Sequence, residues 1–343
     1  MLTAHRWNAA TRTPEPVAAD ALPATAADVP ADDVLWIDLT DPTPEEEERV
    51  FGRFFRVHDL TRGDITKPRR EAGQGAHLPK VEEFADYLFV VVNPLPTALL
   101  ENAATGSPQV RLRDRPQLSA VLTPTVLLTH HYTPLACVQQ VSDYVARHGE
   151  CARRGPDYLF HLILDAMVDE YAPLVDRVSG RLDRLESHVF RNPTPDTLQR
   201  LLRLKRLVSG LRKTLILERE VLARLTRGEF ELVDDREIAY YRNVYDHLVR
   251  YTELVESARE MVSDLMESHL AAASNRLNQV MKLLTMISTV VLPMTLIAGI
   301  YGMNFEDSVA PSYHSPYGFW FALGLMAGTG LVSYALFRWR RWV

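Results

Sequence analysis

Asn278, Met281, Thr285, Ser288, Leu292, Thr295, Gly299 and Gly302 recur at alternating steps of three and four residues as the chain enters an apolar run. That spacing keeps them on one face of a helix. Hydroxyls and an amide on such a face can do two kinds of chemistry: hydrogen-bond to neighbouring helices, or line a wet lumen along which an ion passes. Other chemistries find little material. There is no GxxxxGK[ST] phosphate loop, no HxxxH or Cys/His cluster, and no recognisable nucleophile beside a base. The cysteines, Cys137 and Cys151, are too few for a thiolate zinc site and suit a reducing cytosol. His130, His131 and His247 stand outside any ligand motif.

The elements that carry this stripe are set by charge. The chain has 343 residues, with 38 Lys and Arg against 44 Asp and Glu, a net charge of −6. An acidic balance argues against nucleic acid as a partner. Beyond Lys282 the only charged residues are Glu306, Asp307, Arg338, Arg340 and Arg341. Leu283–Ile300 and Tyr317–Phe337 carry no charge at all. At about 1.5 Å per residue each run can cross a hydrocarbon core about 30 Å thick. Arg276 and Lys282 precede the first run and three arginines follow the second, while Tyr301–Pro316 between them holds no Lys or Arg. The positive-inside rule then predicts a multi-pass protein of the cell membrane, with both termini cytoplasmic and the connector outside. Gly324 and Gly328, in GxxxG spacing, read as a packing surface.

The remainder reads as soluble. Residues 1–32 have no apolar signal-peptide core and are Ala/Pro-rich, so they read as a flexible lead-in. Val34–Thr40, Tyr87–Val92 and Leu118–His130 are strand-like. Between the first two, a capping Asp41 or Thr43, an early Pro44 and an acidic turn start a helix near Pro44. Alternating signals over 33–155 imply an α/β domain. A helical arm hairpin follows over 156–230, and a stalk helix over 234–282. A transmembrane helix at 283–302, an external loop at 303–316, a second transmembrane helix at 317–337 and a basic tail at 338–343 complete the expected order. Leu204, Val208, Leu211, Leu215, Leu222 and Leu225 form a heptad-like stripe with a lapse at Glu218. Val244, Leu248, Tyr251, Val255, Ala258, Val262 and Leu265 continue the rhythm into the polar stripe. A helix of that length needs its stripe covered, which predicts neighbouring chains around a common axis: a funnel-shaped homo-oligomer.

NQVMKLLTM from Asn278 and LPMTLIAGIYGMNF from Leu292, with WIDLTDPT from Trp36, PKVEEFADYLFVVVNPL from Pro79 and DAMVDEY from Asp165, resemble the CorA family of divalent-cation channels. The resemblance covers the chain from about residue 34. It implies a homopentamer whose first span lines the pore through Asn278, Met281, Leu284, Leu292 and Thr295. Gly302-Met303-Asn304 would form the outer selectivity filter, and the cargo would be Mg²⁺, with Co²⁺ or Ni²⁺ also carried. No cofactor and no enzymatic activity are implied. A ring of Asn304 amides suits Mg²⁺, which keeps several waters when bound: neutral oxygens can hold those waters without trapping the ion. Met281, Leu284 and Leu292 would make an apolar constriction that gates by dewetting, and Glu306 and Asp307 could gather cations at the mouth.

The family closes at high internal Mg²⁺ through acids on its cytoplasmic domains, and Asp64 and Asp165 match such positions. Asn243 and Gly63 stand where acids are common in the family, which predicts weaker sensing or the use of Asp246. Asp165, Asp169 and Glu170 also read as a solvated helix face. Two competing readings are a membrane-anchored coiled-coil scaffold and a zinc-transporting member of the same superfamily. The polar stripe weighs against the first and the Gly-Met-Asn triplet against the second.

Overall fold

The computed structural model describes residues 1–8, 14–70, 75–96, 115–191, 194–303, 311 and 316–342. Contacts divide the chain into two units, Met1–His188 with Pro195–Leu265, and Val189–Thr194 with Met266–Val343.

The first unit is built on a seven-stranded sheet. Its strands are β1 (Leu2–Trp7), β2 (Glu15–Pro16), β3 (Val34–Thr40), β4 (Lys80–Glu83), β5 (Leu88–Val92), β6 (Leu118–Leu122) and β7 (Val126–His131), in the order β2-β1-β3-β7-β6-β5-β4. β3 and β7 run parallel, from Leu35 opposite Val126 to Thr40 opposite His131; every other neighbouring pair is antiparallel. All residues of β5, β6 and β7 are buried, as in a sheet covered on both faces.

One face carries Leu35, Ile37, Leu39, Phe89, Val91 and Leu128 against Val50, Phe51, Phe54 and Ile65. These last come from the wide turn Arg49–Phe54, which continues α1 (Pro44–Glu48), and from α2 (Asp59–Arg70). The expected start near Pro44 is a capping box: Thr43 Oγ1 accepts from the Glu46 amide at 3.3 Å, and Glu46 Oε2 accepts from the Thr43 amide at 2.9 Å. On the other face α4 (Pro156–Asp169) crosses β7, β3 and β6 and buries Leu159, Phe160, Ile163, Leu164 and Met167. α3 (Ala136–Arg147) packs beside it. The result is an α/β/α layering.

Two expectations are corrected here. Leu2–Trp7, placed in a flexible lead-in, is an edge-side strand paired residue by residue with β3, and Trp7 is only 2% exposed. The Ala/Pro-rich stretch that follows had masked a β-forming start. Arg6 secures it with two hydrogen bonds to Asp33 Oδ2, at 2.8 and 2.5 Å.

The second correction concerns the stalk. α5 (Tyr171–Arg191) and α6 (Pro195–Leu225) are followed by α7 (Asp235–Tyr301), a single helix of 67 residues. Val244, Leu248, Val255, Ala258, Val262 and Leu265 are buried within their own chain. Neighbouring chains are therefore not needed to cover that part of the stripe. Arg212 on α6 pairs with Glu256 on α7, and Arg154 grips Glu237 through three hydrogen bonds of 2.8 to 3.0 Å.

The second unit contains the end of α7 from Met266 and α8 (Gly318–Trp339). Both helices are long and apolar enough to cross a membrane, and none of the most apolar window of α7 is buried. The two helices meet where Met294 Cε comes within 2.8 Å of the space a Cβ on Gly330 would take, the close approach that small residues allow.

Candidate pore face and acidic clusters

α7 holds the stripe in helical register through Pro293, the one proline in its length. Its hydroxyls are turned back on their own backbone. Thr285, Thr289 and Thr295 donate to the carbonyls of Met281, Thr285 and Val291 at 2.8, 2.7 and 2.9 Å. Each hydroxyl oxygen keeps lone pairs free for water or a neighbour. A shallow groove on this helix is lined by Leu292, Thr295, Leu296, Gly299, Ile300 and Met303. It brings together Leu292, Thr295 and Met303 of the expected pore residues. Asn278, Met281 and Leu284 lie further down the same helix and are exposed, Leu292 most of all at 67%. Gly302 ends the helix, its amide donating to Ala298 O at 2.9 Å, where a Cβ would come within 3.0 Å of that same oxygen. Asn304, Glu306 and Asp307, and most of the expected external loop, lie outside the described residues.

Asp64 sits on α2 and is already engaged. Lys80 Nζ on β4 stands 2.6 Å from Asp64 Oδ2 and 2.8 Å from Glu82 Oε1, and His77 Nε2 is 3.3 Å from Asp64 Oδ1. Burial alone would lower the Lys80 pKa, but the hydrogen bonds to Asp64 and Glu82 and their charges raise it above the ordinary lysine value. Asp165, half-buried on α4, has its carboxyl pushed up by burial and by the charge of Asp169, with His247 opposing. His247 Nδ1 lies 3.8 Å from Asp169. Asn243 and Asp246 are exposed on α7. Among the described residues no group of three or more His, Cys, Asp or Glu side chains could hold a metal ion. Within one chain Asp64 and Asp165 thus belong to separate clusters.

The adjacent histidines at the end of β7 each face a carboxylate. His130 Nε2 is 3.1 Å from Glu47 Oε1, which also accepts from Tyr132 at 2.7 Å. His131 Nε2 is 3.2 Å from Asp38 Oδ1, and its Nδ1 is 2.6 Å from Thr133 O. Buried pairing of this kind fixes strand ends. Glu170, read as part of a solvated face, is instead buried, and so is Glu218. The lapse in the α6 heptads was the one sequence signal for the latter.

Two helices long and apolar enough to cross a membrane, one carrying a stripe of small and hydroxyl side chains, are the features of a membrane protein. The family model for the CorA-like Mg²⁺ transporter protein matches residues 31–341. The chain is 32% identical over 309 residues to the cobalt/magnesium transport protein CorA of Thermotoga maritima, covering 90% of this chain and 83% of that protein. It is 30% identical over 296 residues to the putative metal ion transporter YfjQ of Bacillus subtilis, covering 86% of each. The solved CorA magnesium transporter of Methanocaldococcus jannaschii superposes with a TM-score of 0.78 over 100% of this chain and 99% of that one, at 22% identity, a likeness of fold. The chain belongs to the CorA-like Mg²⁺ transporter protein family. Its members are ion transporters or channels, not enzymes.

Proposed function

We propose that the chain is one subunit of a homopentameric channel that admits hydrated Mg²⁺, and also Co²⁺ or Ni²⁺, passively down the membrane potential. The observation that carries this reading is the open face of α7. Leu292, Thr295, Gly299 and Met303 share one groove that no described part of the chain covers, and in sequence it runs into the Gly302-Met303-Asn304 triplet. Two spans cannot enclose a pore, so several chains must bring these faces together. Asn278, Met281, Leu284, Leu292 and Thr295 then line the path, and Asn304 amides at its outer end hold the ion through its water shell. Both termini lie in the cytoplasm. The driving force is ample: a divalent ion crossing about 100 mV gains roughly 4.6 kcal/mol, twice the value for one elementary charge. Asp64 and Asp165 are the proposed cytoplasmic acids through which internal Mg²⁺ closes the path.

The test is Mg²⁺ flux into liposomes holding the purified protein under an inward-negative potential, wild type beside Asn304→Ala. Flux that is lost or changes ion preference in the variant supports the filter. No flux in the wild type moves the reading to the membrane-anchored scaffold. Zn²⁺ carried in preference to Mg²⁺ moves it to the zinc-transporting alternative.

A further inference from the structure

The side chain that interrupts the α6 stripe points inward. Glu218 is 1% exposed; its Oε1 accepts from the Asn93 amide at 3.3 Å and its Oε2 from the Tyr171 hydroxyl at 2.8 Å. Arg115 is the cation whose charge reaches Glu218 and Tyr171, yet its guanidinium donates to Gly210 O at 2.6 Å and its Nε has no partner. Glu170 follows α4 and immediately precedes Tyr171. It is 8% exposed; the backbone amide of Cys137 is the one donor directed at its carboxyl, and neither oxygen reaches hydrogen-bond geometry with it. The groups facing it are Cys137 in the first turn of α3 and Glu218 on α6. Arg115 therefore compensates Glu218, whereas no cation is among the groups that act on Glu170.

With both acids ionised, the cluster would hold an uncompensated negative charge in a low-dielectric interior, with two bare carboxylate oxygens on Glu170. We propose that Glu170 and Glu218 form a buried proton-binding site: Arg115 balances one carboxylate, and a proton held by the pair neutralises the other. Titration agrees with the geometry. Burial pushes Glu170 up to about 7. Burial also pushes Glu218 up to about 8, against the hydrogen bonds from Tyr171 and Asn93 and the charge of Arg115. Because the two interact, the proton belongs to the pair. The site joins the end of β5, the start of α5 and the middle of α6. α6 in turn is tied to α7 through Arg212 and Glu256, so loss of the proton places a charge at the junction of the sheet with the helices.

The test is infrared difference spectroscopy of the full-length protein in lipid nanodiscs, titrated from about pH 6 to about pH 9. The expected result is a protonated-carboxyl carbonyl band, shifted by deuterium, that disappears with a midpoint between about 7 and about 8. The double variant Glu170→Gln/Glu218→Gln loses that band. Tyr171→Phe, which removes a donor that favours the carboxylate, moves the midpoint upward. No such band in the wild type at the acid end, or the same band in the double variant, overturns the proposal. Should the double variant fail to fold, the wild-type titration and the direction of the Tyr171→Phe shift still decide it.

Discussion

Lys80→Met separates two ways in which Asp64 could act. Lys80 Nζ stands 2.6 Å from Asp64 Oδ2, with side-chain exposures of 21% and 23%, so the pair is neither bare to solvent nor sealed from it. A Mg²⁺ ion drawn to Asp64 must displace that ammonium or sit beside its positive charge. A pair at this depth contributes about 1 kcal/mol, and a divalent ion about 4 Å from the ammonium meets at least roughly 2 kcal/mol of repulsion even at the dielectric constant of water. Taking the smaller figure, removing the ammonium tightens ion binding at Asp64 about fivefold. Methionine keeps the apolar stem that runs toward the Phe89 ring, 5.5 Å from Nζ, so the edge strand should hold its place. The assay is flux into liposomes preloaded with graded internal Mg²⁺. In Lys80→Met the internal Mg²⁺ that halves the flux should fall about fivefold, and further at low salt. An unmoved midpoint, with closure still abolished by Asp64→Ala, would refute the competition. Closure untouched by both substitutions would remove Asp64 from the sensing role altogether.

Two further outcomes follow from the same geometry. Leu292→Ser should raise flux on the order of tenfold, because replacing a Leu in a dry constriction removes about 1.5 kcal/mol or more of apolar contribution per chain; native mass spectrometry should show the oligomer unchanged. Lower flux with dissociation would instead place Leu292, 67% exposed in the single chain, between subunits. Acid should destabilise the first unit in two stages. Burial lowers the His130 pKa, so the unfolded chain takes up a proton that the fold refuses as pH drops through about 6.5. Burial alone would raise Glu47 and Asp38. Hydrogen bonds from His130 and Tyr132 to Glu47, and from His131, Thr129 and Thr40 to Asp38, hold both below the usual carboxylate range. The stability they contribute is present above the unfolded-state value, about 4, and is lost as pH falls through the folded one. Melting temperature against pH checks this: Glu47→Gln should lower it at neutral pH and flatten the acid limb, and an unchanged acid limb would refute the assignment.

What the chain revealed before folding divides along the reach of the interactions. The apolar runs, the helix start near Pro44 and the stripe from Val244 to Leu265 are local patterns, and each became the expected element. β3 and β5 were legible as strands, while Leu118–His130, read as one run, folds into the antiparallel pair β6 and β7; the strand order was not legible, because β3 pairs with β7 across more than eighty intervening residues. Trp7 was missed because composition averaged over its neighbours hid a short strand. The stripe itself was read correctly while its cover was assigned to the wrong partner, since periodicity shows that a face is buried and not by what. At the candidate site the same rule holds. Asp64 was visible as an acid, whereas Lys80 reaches it only through the register of β4. Glu218 was visible as a misfit, and only the fold supplies Tyr171 and Asn93.

The covered stripe also changes where association must draw its energy. With the face from Val244 to Leu265 satisfied inside one chain, the proposed oligomer cannot rest on it. The most continuous exposed apolar surface among the described residues is the apolar end of α7 together with α8, where lipid is as good a neighbour as another helix. Between such helices, close packing of small residues rather than apolar area selects a partner. Gly330 is explained within the chain, since Met294 fills the space beside it. Gly299, Gly324 and Gly328 are not: a Cβ at any of them would meet nothing within 4 Å. Glycine at these positions makes sense where something outside the chain approaches closely, a neighbouring helix at Gly324 and Gly328, or the lumen at Gly299 beside Thr295. In the proposed channel the choice of partner and the dimensions of the path would then be set by a few small side chains in the apolar helices.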